Sequence, residues 1–97
     1  MAIHTYIIDC DIYPKYNTEY MDFYNAIQAL GIHHWKFLED TWMITSEKNA
    51  TEIRDELVRN MKPGDRLVVV RAGGEAAWAN FEEFASNWLD TYINQTT

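Results

Sequence analysis

The sequence predicts an α+β fold with a four-stranded antiparallel sheet, two crossover helices and an additional C-terminal helix. Three observations predict it: a strand–helix–strand pattern occurs twice in succession, a tight hairpin joins the two units, and an amphipathic segment follows the last strand. The chain has 97 residues, of which 47% are hydrophobic. This length and composition suit one domain, spanning 1–97, with a single core.

The first half of the chain contains a strand, a helix and a hairpin. The opening segment is rich in the β-branched and aromatic residues that strands favour. Apolar residues then recur at helical spacing as far as Gly31, which we expect to end the helix in a left-handed conformation. Two further strand-like segments flank the acidic pair Glu39-Asp40, as in a tight hairpin. The predicted bounds are a strand at 3–12, a helix from Asn17, and strands at 32–38 and 41–46.

The second crossover helix and the last strand follow the hairpin. Asn49 and Glu52 stand at the spacing of a capping box, which predicts that a helix begins there. The helix is expected to bury the apolar stripe Ile53, Leu57, Val58 and Met61. The run 67–70, Leu-Val-Val-Val, does not alternate with polar residues, so it predicts a strand buried on both faces.

A third helix is predicted after the last strand. Asn80 and Glu83 repeat the capping-box spacing, and apolar residues then continue at helical spacing, giving a helix over about 79–93 and a frayed tail at 94–97. The order βαββαβ is typical of a ferredoxin-like sheet with both crossover helices on one face. The strands carry apolar residues on both faces, so the other face needs a cover as well. Either the third helix folds across it or two chains pack sheet to sheet, and we expect the homodimer.

Composition excludes several classes of function. The formal net charge of −7 disfavours tight, nonspecific binding to nucleic acid through the whole surface, although a local basic patch could still bind weakly. Cys10 is the only cysteine and cannot form an internal disulfide, so we expect it to be buried as a small apolar residue. The sequence contains no basic leader and no apolar stretch long enough to span a membrane. A reducing cytoplasm is the expected compartment, with no membrane partner.

The best candidates for chemistry are Asp9 and Asp11 at the end of the first strand. Residues two apart on a strand project from the same side, so both carboxylates are expected at one edge of the sheet. Together they could bind one Mg²⁺ or Mn²⁺ ion and orient water against a phosphodiester, which makes them candidate metal ligands and catalytic residues. The alternative is that they are structural, because Asp is common where a strand gives way to a turn. The function then requires no cofactor.

Four other residues are candidates for binding a partner. Lys36, Arg66 and Arg71 lie on predicted strands, where an assembled dimer could gather them into a basic groove. Trp78 is the one tryptophan that the predicted core and hairpin do not explain, so it could stack on a base. Its alternative role is structural, with Ala76-Ala77-Trp78 docking the third helix.

Several segments together carry a resemblance to a known family. They are Asp11 after an apolar first strand, Asp40-Thr41-Trp42-Met43-Ile44, Glu52-Ile53-Arg54-Asp55-Glu56-Leu57, Asp65-Arg66-Leu67-Val68-Val69-Val70 and Ala76-Ala77-Trp78. With these segments the chain resembles the small SinR-like proteins, which are commonly grouped with the CRISPR-associated Cas-two family, over roughly residues 5 to 90. The resemblance implies a ferredoxin-like dimer. It also implies that Asp11 matches the aspartate linked in that family to metal-dependent nuclease activity.

The same resemblance offers a function without catalysis. Cas-two chains also serve as a structural dimer that binds DNA and a partner integrase, whereas this chain lacks a concentrated arginine cluster. Three hypotheses therefore stay open. The leading one is a noncatalytic, Cas-two-like dimeric adaptor for a protein or nucleic-acid partner. The others are a metal-dependent endonuclease using Asp11 with Asp9, and a small nucleotide or ligand binding protein with a pocket at the dimer seam.

Overall fold

The computed structural model describes residues 2–12 and 18–94, and in these ranges it contains four strands, three α-helices and a final turn of π-helix. Their bounds are β1 His4–Asp11, α1 Thr18–Leu30, β2 His33–Leu38, β3 Thr41–Ser46, α2 Ala50–Val58, β4 Arg66–Ala72, α3 Glu83–Leu89 and the π-helical turn Asp90–Asn94. The predicted α+β class with a four-stranded antiparallel sheet is confirmed. The start of α1 predicted at Asn17 and the tail at 95–97 lie outside the described residues.

The four strands form one sheet in the order β2-β3-β1-β4, and every neighbouring pair is antiparallel. β1 is therefore central, between β3 and β4, while β2 and β4 are the two edges. Side chains alternate between the sides of the sheet along each strand. We call the side that carries Ile8 the first face and the side that carries Ile7 the second face.

The main core lies between the first face and helices α1 and α2. Phe23 and Ile27 of α1 and Ile53 and Leu57 of α2 are almost completely buried there, against Ile8 and its neighbours on the sheet. The predicted capping box at the start of α2 is confirmed: Asn49 Oδ1 accepts from the Glu52 N–H at 2.8 Å, and Glu52 Oε1 accepts from the Asn49 N–H at 3.0 Å. Both crossover helices thus cover the same face of the sheet.

Helix α3 and the π-helical turn pack on part of the second face. Trp88 of α3 contacts Trp35 of β2 with ring centroids 5.5 Å apart, and it also packs near Met43 of β3. The Thr5 hydroxyl of β1 donates to the Tyr92 carbonyl, which ties the π-helical turn to the central strand. The sequence predicts that either the third helix or a second chain covers this face. Within one chain, the third helix covers part of it. That helix lies mainly over β2 and β3.

Two burial predictions are wrong. The last strand, β4, is an edge strand rather than a strand buried on both faces, and Val68 and Val70 on its second face are 51% and 49% exposed. The reason is that α3 crosses the second face toward β2 and leaves the β4 side open. In the predicted stripe of α2, Val58 is also exposed, because only Ile53 and Leu57 of this helix point into the core.

The two remaining differences concern the ends of helices. Gly31 does not adopt a left-handed conformation. Glycine is required at this position because a Cβ atom would lie 2.8 Å from the His33 carbonyl oxygen and 3.0 Å from Ile44 Cβ. The third helix begins at Glu83 rather than at about 79, since Asn80 has φ of 65° and so cannot continue into a helix. Glu82 occupies the N-cap position without a side-chain hydrogen bond. No helix in the described ranges is long and apolar enough to cross a membrane.

Candidate functional site

Asp9 and Asp11 both belong to the second face, at the carboxyl end of the central strand β1. Alternation along the strand puts them on the same side, as the sequence predicts. The register places Asp9 between Thr41 of β3 and Val68 of β4, and it places Asp11 opposite Arg66. The antiparallel sheet therefore brings the start of β4 to the two carboxylates.

Arg66 forms an ion pair with Asp11. Its Nη2 atom donates to Asp11 Oδ2 at 2.7 Å, a short, charge-assisted hydrogen bond. The Arg66 side chain is 80% exposed and that of Asp11 is 41% exposed, so water screens the pair. A pair this accessible contributes little to stability, about 0–1 kcal/mol.

Asp9 is held by a different neighbour. Its Oδ1 atom accepts a hydrogen bond from the Thr41 hydroxyl at 3.1 Å, across the pairing of β1 with β3. Asp9, Asp11 and Arg66 line an open depression of about 210 Å³, together with Cys10, Leu67 and Val68. Each carboxylate thus has a donor from a neighbouring strand while keeping access to solvent.

These contacts bear on whether the pair suits a metal ion. Mg²⁺ and Mn²⁺ bind several oxygen ligands, and a protein site supplies one or more carboxylates that are free to coordinate. Asp11 gives one oxygen to Arg66, whose positive charge opposes a cation at the same place. Within residues 2–12 and 18–94, no three His, Cys, Asp or Glu side chains are grouped to hold a metal. A divalent metal bound by the two carboxylates would have to compete with Arg66 for Asp11.

Cys10 lies between the two aspartates in sequence but projects from the first face into the core. It is 7% exposed, and its Sγ atom donates to the Asp40 carbonyl oxygen at 3.6 Å. Burial, with a smaller contribution from the negative charges of Asp40, Asp9 and Asp11, raises the pKa of the Cys10 thiol to about 11. The thiol is therefore protonated at neutral pH and is a poor nucleophile. The expected burial of Cys10 agrees with the structure.

The four predicted binding residues do not meet within one chain. Lys36 on β2 and Arg71 on β4 belong to the first face but stand on opposite edges of the sheet, and Arg66 belongs to the second face. Lys36 Nζ also donates to the Tyr20 hydroxyl at 3.2 Å. Trp78 packs with the cluster under α3, and its Nε1 donates to the Ser86 hydroxyl at 2.8 Å. This contact agrees with the structural alternative for Trp78, docking of the third helix.

Two features of this region escape the sequence patterns. Thr41 holds Asp9 from a strand more than thirty positions away, and nothing local marks that pairing. Val68 and Val70 are exposed on an edge strand, although their sequence is typical of a buried one. Arg66 and Arg71 at the two ends of that strand are the one signal that it meets solvent.

Comparison of the chain with protein-family models, with curated proteins and with solved structures found no match. Two neighbouring features of the second face bear on function. One is the depression with its paired carboxylates. The other is the open apolar strip beside it, Val68 and Val70 of β4.

Proposed function

We propose that this protein is a noncatalytic dimeric adaptor of ferredoxin-like fold, similar to Cas-two proteins, that holds a protein or nucleic-acid partner. The strand order β2-β3-β1-β4 supports this fold, because a βαββαβ chain with two right-handed crossovers on one face pairs its first strand with its third and fourth. Helices α1 and α2, packed together on the first face, agree with it. The fold supplies a sheet whose second face is available for assembly.

The observation that carries the proposal is the half-covered second face. Helix α3 and the π-helical turn pack over β2 and β3, but Val68 and Val70 on β4 stay half exposed beside the partly buried Ile7 of β1. Burying apolar surface is worth roughly 25 cal/mol per Å², so adjacent exposed valines favour a protein contact at this place. A second copy of the chain always carries the same strip and can provide that contact.

The absence of catalysis is supported by the state of the two aspartates. Asp11 is paired with Arg66 and Asp9 with Thr41, and the burial-raised pKa of Cys10 leaves its thiol protonated. None of these groups is poised as a base or a nucleophile. The depression they line is better suited to shaping the edge of an interface than to activating water.

The decisive experiment measures the mass of the protein in solution, for the wild type and for variants in which the apolar strip is replaced by charges. Sedimentation of the wild-type protein at micromolar concentration should give a species of twice the 11.4 kDa chain mass. Val68→Lys with Val70→Lys should convert it to the 11.4 kDa monomer, because charges replace the apolar strip. The matched control is Val58→Lys, at a residue equally exposed on α2, which should leave the dimer intact. A wild-type protein that sediments only as 11.4 kDa contradicts the proposal.

Purification of the protein with analysis of bound nucleotide then identifies the class of partner. Co-purified RNA or DNA that is not degraded supports a nucleic-acid adaptor, and its absence directs attention to a protein partner. A bound small nucleotide would instead support the hypothesis of a ligand pocket at the dimer seam. Hydrolysis of the nucleic acid on addition of a divalent metal would overturn the noncatalytic assignment.

The second candidate function is a metal-dependent endonuclease that uses Asp11 with Asp9. The observation that favours it is their common position: both carboxylates and one arginine line the same open depression. Metal binding there would have to displace Arg66 from Asp11. This requirement is why we place the adaptor first.

A further inference from the structure

The two edges of the sheet are not equally protected against pairing with another strand. Natural proteins guard exposed edges with bulges, inward charges or proline. β2 has such a guard, because its register with β3 shifts between Lys36 and Leu38 and Lys36 carries a charge. β4 also carries a charge, Arg71 on the first face, but it has no bulge: its pairing with β1 runs without a shift over seven residues, from Asp11–Arg66 to Thr5–Ala72. No strand in the described residues pairs with its outer side.

The side chains of β4 also suit an intermolecular strand pair. The centre of the strand is Val68-Val69-Val70, and β-branched residues favour extended pairing. Val68 and Val70 are half exposed on the second face. The strand's charges are confined to Arg66 and Arg71, and Asp11 neutralises Arg66.

We propose that two copies of this chain pair β4 with β4 in antiparallel fashion, about a two-fold axis midway between their Val69 residues, into one continuous eight-stranded sheet. The inference rests on the dimer of the proposed function and specifies its interface. It replaces sheet-to-sheet packing with edge-to-edge pairing. The backbone groups on the outer side of β4 then gain the partners that an edge strand lacks.

The register follows from the length of the strand. Residues opposite each other in an antiparallel pair share a face, so a two-fold axis normal to the sheet must lie midway between one residue and its own copy. Val69 is the midpoint of Arg66–Ala72, and only pairing about Val69 engages all seven residues. In that register each Val68 stands opposite Val70 of the other copy. The second face gains two valine pairs side by side.

The same register keeps the arginines apart. Arg71 lies opposite Leu67 of the other copy, so the two Arg71 residues are four positions apart along the strands, roughly 13 Å at 3.4 Å per residue. This separation exceeds the screening length of about 8 Å at physiological salt. The two Arg66 residues are farther apart still. Two acidic chains can therefore meet along this edge without opposing like charges.

A groove on the first face extends the contact beyond the backbone. It lies between α2 and β4, has a volume of about 240 Å³, and is lined by Ala50, Thr51, Arg54, Leu67, Val68 and Val69. Leu67 and Arg71 of the other copy project from the same face at this edge. Their apolar stems can pack along the groove while the Arg71 guanidinium stays in water.

Disulfide trapping tests the register directly. In a Cys10→Ala background, a mixture of Val68→Cys and Val70→Cys proteins should form a disulfide-linked dimer under mild oxidation. Directly opposite residues have Cα atoms about 4.5–5.5 Å apart, within disulfide range. Each variant alone should link at least tenfold less, because its cysteines would be diagonal neighbours about 7–8 Å apart. Both positions are half exposed, so the variants should fold.

The control for edge choice is Leu38→Cys on β2, which is equally exposed and should not link to Val70→Cys. Strong linking of Val68→Cys with itself would overturn the register and favour another pairing or sheet-to-sheet packing. A dimer in sedimentation without any mixed disulfide also overturns the inference, but it leaves the dimeric adaptor standing. A monomer at every concentration removes both proposals.

Discussion

Arg66 Nη2 lies 2.7 Å from Asp11 Oδ2, and this contact joins the first residue of β4 to the last residue of β1 across their antiparallel register. It has two consequences for function. Asp11, the best candidate for a metal ligand, is paired with the positively charged side chain of Arg66. The arginine that could hold a phosphate is likewise occupied. Residues that separately indicate a nuclease together form a surface ion pair.

Substitution of Asp11 should therefore have a small effect on stability. Asp11→Asn removes the charge and keeps the shape, and we expect the free energy of unfolding to fall by about 0–1 kcal/mol because the pair is exposed. Urea denaturation of this variant, of Arg66→Gln and of the double variant gives the coupling energy between the two side chains. A loss above about 2 kcal/mol would contradict a screened surface pair.

The same variant decides between adaptor and nuclease. We expect the wild-type protein to leave RNA and DNA intact in Mg²⁺ or Mn²⁺, because Asp11 and Asp9 already have partners and no third ligand accompanies them among the described residues. The assay is incubation of labelled duplex and single strands with equal amounts of wild type and Asp11→Asn. Reproducible hydrolysis by the wild type alone would make the nuclease the primary function.

Binding to nucleic acid should be weak and sensitive to salt. A chain of net charge −7 can contact phosphates only through a few local basic residues, such as Arg71. Counterion release gives a slope of about −0.9 per phosphate contact, so two or three contacts predict a loss of roughly 12- to 40-fold between 50 and 200 mM salt. Titrations at several salt concentrations measure the slope. Tight binding that hardly changes with salt would indicate a specific pocket instead.

Some local features of the fold could be predicted from sequence, and the docking of its third helix could not. The capping box of Asn49 and Glu52 and the tight turn at Glu39-Asp40 depend on residues close in the chain, and spacing predicts both. The same spacing at Asn80 and Glu83 is misleading, because Asn80 has φ of 65°. The exposure of the second face of β4 depends on where α3 docks, through Trp35 and Trp88, and no local pattern encodes that docking. A run of valines is compatible with a central strand or with an edge strand that pairs with another chain.

The candidate site, too, could be predicted from sequence only in part. That Asp9 and Asp11 share a face follows from strand alternation alone. Their partners, Thr41 and Arg66, come from two other strands, so their identity depends on strand order and register. Sequence reasoning could name the carboxylates and could not see that each was already engaged.

Gly31 should be intolerant of a side chain for a reason other than backbone conformation. In Gly31→Ala the new Cβ would approach the His33 carbonyl oxygen to 2.8 Å and Ile44 Cβ to 3.0 Å, and Ile44 is completely buried. Such overpacking costs about 1–3 kcal/mol, which thermal or urea denaturation would detect. Gly64→Ala is the matched comparison, since a Cβ there meets nothing within 4 Å and only its φ of 92° is unfavourable. Equal stability of Gly31→Ala and wild type would show that the turn can shift freely.

The last prediction concerns the dependence of stability on pH through Cys10. Burial raises the pKa of its thiol to about 11 in the folded chain, from an ordinary value of about 9. Because the folded state favours the neutral thiol, its contribution to the free energy of unfolding is complete below about pH 9. That contribution is lost as the pH rises through about 11.

The measurement is a difference between the wild type and Cys10→Ala, because the difference removes every pH-dependent contribution that the two proteins share. We expect the stability of the wild type, relative to Cys10→Ala, to decline between about pH 9 and pH 11, in denaturant titrations at each pH. Alkylation by iodoacetamide should be slow at pH 8 and should rise steeply toward pH 11, because only the thiolate reacts. A flat difference curve with rapid alkylation at pH 8 would mean that the thiol is accessible to water. The Cys10 thiol would then be exposed at the depression that this residue lines with Asp9 and Asp11, rather than enclosed in the core.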